Sequence, residues 1–429
     1  MAAVNTLPDV RGARPGVERR RDEPAPRHLD PSARALGDVV VATPTSDRLR
    51  SIAATLRFPL GIYLVSRVLC MVVALIDMPI QHWPLWEELM NWDGAWYMVL
   101  TVHGYPAHIP DYLAAGPHQT TLGFFPLYPM VIWVLGHLLS SSYLVAGMIV
   151  SFFTGAIATV LVSRLADGWW GARAARRAVI VFCLFPGSIV FSMIYTEGLM
   201  LALVGGCLLA LQRRRWLLAG ALAGLATAVG PTAVAIIPAC AAAAVIELRR
   251  HGWQDREARR ALLAPVLAPV GMAAFAIYLW IHTGSPFATY QAQNLAWKER
   301  SSPFALVHLA SRLISQIFAF HSLSHPGINL NYVAGVLGAI FLITGLWLLR
   351  RERSRVPLPV IVWTLGVAAL TLTSFRTPPN ARMLICAFPV LMVVAHRVGR
   401  RGFIVLVTSC TFLLISMSFV SFVGTGLRP

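Results

Sequence analysis

The chain is poor in charge. Only 13% of its 429 residues are Asp, Glu, Lys or Arg, and Lys298 is its one lysine. Soluble domains carry about 25% charged residues, whereas here 57% of residues are hydrophobic and the mean hydropathy is +0.65. A large soluble domain is excluded. Cysteine is also scarce: Cys70, Cys183, Cys207, Cys240, Cys386 and Cys410 all sit in apolar runs, where cysteine acts as a small hydrophobe. Their spacing gives neither a disulfide framework nor a zinc site. There is no P-loop, no dinucleotide-binding glycine fingerprint and no nucleophile elbow, which argues against a nucleotide-driven pump or a soluble-type hydrolase. Lysine and arginine are missing altogether between Asp77 and Arg164, a stretch that does hold Glu87, Glu88, Asp93 and Asp111.

What is present is a series of apolar runs approaching the ~20 residues that cross a bilayer, with arginine clusters at their ends. The formal charge of +17 therefore reports membrane topology, and nucleic acid is not an expected partner. The fold class is an all-α polytopic membrane protein. Residues 1–55, rich in Arg, Pro, Asp and Ala, read as a disordered cytoplasmic tail, and 56–429 as the transmembrane domain. About eleven spans are expected, near 58–76, 143–163, 178–196, 198–212, 216–230, 232–247, 261–282, 330–349, 357–375, 383–397 and 402–422. The run 124–140 is assigned to the interface rather than to a crossing. If it crossed, Arg213 to Arg215, the arginines of 249–260 and Arg350 to Arg355 would all be external, against the charge rule. With this choice 78–142 is a first external loop with interfacial helices. It is expected to converge with Tyr195 to Glu197, Gly230 to Thr232, 283–328 and Phe375 to Arg382 on one face of a multi-pass cell-membrane protein whose N-terminus is cytoplasmic.

The chemistry on that face is acidic and aromatic. On a short helix Asp93 and Tyr97 share one stripe while Trp92 and Trp96 form the next, so the helix would lie at headgroup level with its carboxylate toward a cavity. Asp93 reads as a general base or, equally, as a helix cap. Glu197 precedes an apolar run, where a lone carboxylate is costly; it pairs with Arg67, Arg376 or Arg382, positions an acceptor, or caps the next helix. Arg67, in mid-span, is either functional or paired structurally with a carboxylate or backbone carbonyls. Arg376 and Arg382 suit a lipid-linked phosphate through bidentate binding. His103 and His108 have no metal-ligand company, and no metal is expected, a divalent cation being the alternative.

At these residues the chain resembles the PIG-V-type mannosyltransferases, the family of the GPI second mannosyltransferase and its bacterial relatives within the GT-C superfamily. The matching pieces are Trp92-Asp93-Gly94 with Trp96-Tyr97, Gly104-Tyr105, Phe124 to Pro129, and Pro186-Gly187-Ser188 leading to Tyr195-Thr196-Glu197; Arg382 followed by Phe388-Pro389 is a weaker echo. The resemblance implies a GT-C-type fold and a polyprenyl-phosphate-linked hexose donor, mannose, used on the external face, with Asp93 as the essential acid. Asp93 and Glu197 are then the catalytic candidates, and Trp92, Trp96, Tyr97, Tyr105, Tyr128, Arg67, Arg376 and Arg382 the substrate-binding ones. A glycolipid or glycan is the expected acceptor. Gly230-Pro231 departs from the Arg-Pro of many bacterial relatives. A lipid or solute transporter and an inactive scaffold of the same fold are the competing readings.

Overall fold

The computed structural model describes residues 45–81, 84–111, 119–319 and 329–422. By compactness the chain divides into residues 1–51 and 52–429, and the packing that follows belongs to the second unit. Helix α1 (Thr45–Gln81) begins ten residues ahead of the expected end of the tail, so 45–55 is helical rather than irregular. The expectation for residues 1–44 lies outside the described residues.

The rest is helical, and no strand occurs among the described residues; the one ladder contact is an isolated bridge between Ser301 and Ser374. After α1 come α2 (Leu85–Leu89), α3 (Asp93–His103), α4 (Leu127–Leu138), α5 (Tyr143–Trp170), α6 (Ala172–Leu184), α7 (Glu197–Gln212), α8 (Trp216–Thr227) and α9 (Ile236–His251). They are followed by α10 (Arg256–Arg260), α11 (Leu263–Leu267), α12 (Val270–Thr283), α13 (Ala288–Gln291), α14 (Ala305–Ala319), α15 (Leu330–Arg351), α16 (Leu358–Thr373), α17 (Ala381–Cys386), α18 (Phe388–Arg397) and α19 (Arg400–Phe422).

Among the described residues six stretches are long and apolar enough to cross a membrane: Thr55–Pro79, Tyr143–Trp170, Pro231–His251, Arg256–Thr283, Leu330–Arg351 and Arg400–Phe422. A seventh, α6 with the 3-10 segment Pro186–Ser192, is bent by 72° at its break. The four remaining expected spans coincide with the shorter apolar helices α7, α8, α16 and α18. Helix α4, assigned to the interface, has 12 residues, the same number as α8.

Small residues let these helices approach closely, as bundles in lipid require. On α8 and α12, a Cβ placed on Gly271 would lie 2.0 Å from the Gly224 carbonyl oxygen. The apolar faces of α1, α5, α12, α15 and α19 carry exposed Leu64, Val68, Phe153, Trp280, Leu337 and Phe412, the surface that meets lipid.

The polar ends sort into two groups. At one, Glu352 holds Arg397 and accepts from Trp170 Nε1 at 3.0 Å, while Glu247 holds Arg214 at 3.1 Å, tying arginine-bearing turns together. At the other, four of the five pieces expected to converge meet: 78–142, Tyr195 to Glu197, 283–328 and Phe375 to Arg382. Asp93, Glu197 and Arg382 are in contact. Leu127 N donates to Ala228 O at 3.0 Å, Gln293 Nε2 to Gly123 O at 3.0 Å, and Thr377 Oγ1 to Glu299 Oε2 at 2.8 Å.

Candidate functional site

The site forms where three helix N-termini come together. Helix α3 starts at Asp93, directly after Trp92, whose φ of 62° and ψ of −120° lie where a bulky side chain is strained. Such a backbone costs about 1–3 kcal/mol and persists only where the surroundings dictate it. Here Trp92 N is held by Asn91 Oδ1 at 2.9 Å, and Asn91 Nδ2 is held by Ser421 O at 3.1 Å. This sharp turn aims the first residue of α3 inward. Helix α7 starts at Glu197, at the end of a strap fixed by Ile194 N to Leu89 O (3.1 Å) and Tyr195 N to Ser151 Oγ (3.4 Å). Helix α17 starts at Ala381, capped by Asn380 Oδ1, which accepts from Met383 N at 2.9 Å.

Arg382 joins the three. Its Nε donates to Glu197 Oε1 at 2.5 Å, its Nη1 donates to Asp93 Oδ2, and its guanidinium lies over the Tyr195 ring, 4.8 Å from the centroid. The Glu197 side chain is 4% exposed, that of Arg382 16% and that of Asp93 33%. Asp93 is thus the most exposed of the three. Burial alone would lower the Arg382 pKa, but the charges of Glu197 and then Asp93 reverse the sign and raise it above its ordinary value. The guanidinium is a permanent cation shared by two carboxylates.

Arg382 was expected to meet a lipid phosphate. Its guanidinium is taken up by Glu197 and Asp93, two carboxylates against one cation. Arg67 is likewise elsewhere, buried in mid-span and held by Ser188 and Ser192; of its two readings, pairing with backbone carbonyl and hydroxyls is the observed one. Arg376 is exposed and lines a small cavity with Arg312, His308 and Tyr332, beside the loop that Glu299 anchors. Among the described residues its guanidinium makes no ion pair.

The aromatic candidates divide by exposure. Tyr128 is fully buried and its hydroxyl shares a hydrogen bond of 2.7 Å with Ser151 Oγ, so no surface of it reaches a substrate. Tyr97 is 5% exposed, stacks edgewise on Phe124 and Tyr128, and points its hydroxyl at Thr196 Oγ1, 3.5 Å away. Burial pushes its pKa up, and it remains a neutral phenol. Tyr105 gives its hydroxyl to Phe124 O at 2.7 Å and packs on Phe275 and Tyr278. These three form the wall behind the site. Trp92 and Trp96 keep partial exposure. Trp96 lies parallel to Phe124 at 6.3 Å and edge-on to Trp297 at 5.2 Å.

Trp297 lies in the same aromatic wall, edge-on to Trp96 and Phe124. Its Nε1 donates to Thr120 O at 3.3 Å, so the segment that carries Trp297 is fastened to the one ahead of α4. Nothing in sequence spacing links residues so far apart. A Cβ on Gly230 meets no atom within 4 Å, so the departure from Arg-Pro leaves open space. Among the described residues no group of three His, Cys, Asp or Glu is placed to hold a metal.

No family model and no curated protein matches the chain. Solved structures do. The chain is similar to ArnT from Cupriavidus metallidurans bound to undecaprenyl phosphate, with 15% identity over 85% of this chain and 76% of that one, at a TM-score of 0.48. It is similar to the oligosaccharyltransferase of Archaeoglobus fulgidus, with 13% identity over 86% of this chain and a TM-score of 0.48, spanning 56% of that protein's length. The same enzyme, AglB, in complex with an inhibitory peptide and a dolichol-phosphate aligns at 12% identity over 86% of this chain and 55% of that one, with a TM-score of 0.43.

Proposed function

We propose that the chain is a GT-C-type membrane glycosyltransferase that moves a hexose, mannose, from a polyprenyl-phosphate donor to a hydroxyl of a glycolipid or glycan on the external face. The observation that carries the reading is Asp93: a carboxylate one-third exposed, at the head of α3 directly after the strained Trp92 turn, held by Arg382, which Glu197 holds in turn.

In the proposed reaction Asp93 accepts the proton of the acceptor hydroxyl, the acceptor oxygen bonds to the anomeric carbon, and the bond from that carbon to the phosphate oxygen breaks. The electron pair leaves with the polyprenyl phosphate, and the sugar is inverted. Arg382 takes no part in proton transfer; it fixes the carboxylate's position and direction, which is what a base needs to act within hydrogen-bond reach. Glu197 holds the other side of Arg382. The leaving phosphate is assigned to Arg376, whose guanidinium is free of ion pairs among the described residues, with Arg312 beside it. Trp96 and Trp297 present flat apolar faces of the kind that a hexose ring stacks upon.

A transporter would move the lipid-linked sugar without making a new glycosidic bond. Reconstituted protein supplied with radiolabelled polyprenyl-phosphate mannose and envelope lipids separates the two: label appearing in a new glycoside supports transfer, and label crossing the bilayer unchanged contradicts it.

A further inference from the structure

Arg67 sits near the middle of the apolar stretch Thr55–Pro79 and is 5% exposed. A guanidinium at that depth is costly unless its donors are used. None goes to a carboxylate among the described residues. Nη1 donates to Ser188 O at 2.6 Å and Ser192 Oγ at 2.8 Å, and Nη2 donates to Ser188 Oγ at 2.9 Å. The cation also faces the rings of Tyr63 and Phe191, 5.4 and 5.6 Å from their centroids.

Ser188 and Ser192 both belong to the 3-10 segment at the 72° break after α6. A broken span frees carbonyls that lipid cannot satisfy, so the protein must supply donors. Ser188 Oγ donates to one of them, Cys183 O, at 2.6 Å, and Arg67 takes Ser188 O. The arginine and the serine together close the bend.

The far side of that bend touches the site. A Cβ on Gly187 would lie 2.0 Å from Ala381 O, 2.5 Å from Ala381 C and 3.2 Å from Arg382 N, so backbone rests on backbone there. Beyond Ser192 the chain continues through the strap that ends at Glu197. Two of the three charged residues, Arg382 and Glu197, are therefore set by the one bend that Arg67 fastens.

We infer that Arg67 is a positioning residue: it locks the break between α6 and α7 and thereby sets Arg382 and Glu197 against Asp93. The inference rests on reading that trio as the active site.

The test compares wild type, Arg67→Lys and Arg67→Met in lipid nanodiscs. Amide hydrogen exchange over 186–197 and 381–388 is measured alongside transfer kinetics with lipid-linked mannose. In Arg67→Met, exchange rises about tenfold in both segments while α9 and α16 are unchanged. kcat falls about a hundredfold with KM within about twofold, as misplacement of a reacting group does. Arg67→Lys, whose ammonium still reaches Ser188 O, lies between. Should Arg67→Met not fold, Ser192→Ala removes one of the acceptors of Arg67 while the Ser188 contacts stay, and gives the same pattern in smaller degree. Exchange that loosens only in 186–197, or kcat that holds while the bend loosens, overturns the inference. Exchange needs no substrate, so a wild type that transfers nothing refutes the proposed reaction and leaves the exchange result to judge the positioning.

Discussion

Asp93 and Arg382, 289 residues apart in the chain, form an ion pair, and the same guanidinium holds Glu197. One residue therefore controls the orientation of both acids, and the consequences differ for each.

Replacing Arg382 by methionine leaves Glu197 buried without its cation. Breaking a buried pair costs about 3–5 kcal/mol, with the lower end expected because Asp93 keeps contact with water. Thermal unfolding in detergent should show a clear fall in Tm. Arg382→Lys restores the charge but not the fork that serves two carboxylates; it should recover most of the Tm and little of the activity. Equal recovery of both would mean that Arg382 supplies charge alone.

Glu197 holds Arg382 through Oε1, and glutamine offers an acceptor at the same place. Glu197→Gln should keep kcat within about tenfold of wild type, since its role is to hold rather than to accept a proton. A loss as deep as that of Asp93→Asn would make Glu197 the base.

Glu88 on α2 is fully buried, with neither oxygen hydrogen-bonded among the described residues. Burial, then the nearby Asp77 charge, pushes its pKa up from 4.5 to about 7. The folded chain thus keeps a proton that the unfolded chain releases, so stability is full below pH 4.5 and declines as pH rises to about 7. Tm should be higher near pH 5.5 than near pH 7.5, and Glu88→Gln should raise Tm at the higher pH and flatten the dependence. An unchanged slope in the variant would place the titration elsewhere.

Trp297 closes the aromatic wall against Trp96 and Phe124. Trp297→Ala should lower kcat/KM by about tenfold, mainly through KM, since a stacked aromatic is worth about 1 kcal/mol or more. A pure kcat effect would place it in the machinery around Asp93 instead.

The helices were legible because hydropathy and arginine placement are local properties: α5, α15 and α19 lie where the apolar runs predict them. The assignment of 124–140 to the interface rests on charge parity, because length does not separate α4, with 12 residues, from α8, with 12, or α18, with 10. Pairing was not legible. Arg382 was one of three arginines offered for Glu197, and nothing in the sequence singles it out or joins Asp93 to it. Tyr128 resembles an interfacial aromatic by type, yet α4 packs that face on α5, where Ser151 takes its hydroxyl. Arg67 stood between a functional and a structural role, and the break at Pro186 that decides it has no local marker beyond Pro-Gly-Ser.

The most direct measurement is transfer by Asp93→Asn in membranes supplied with polyprenyl-phosphate mannose, with protein level and Tm checked alongside. Asparagine can still accept from Arg382 but cannot take the acceptor's proton. The account predicts intact protein and transfer reduced by at least about a hundredfold; transfer at the wild-type rate from folded protein would contradict it.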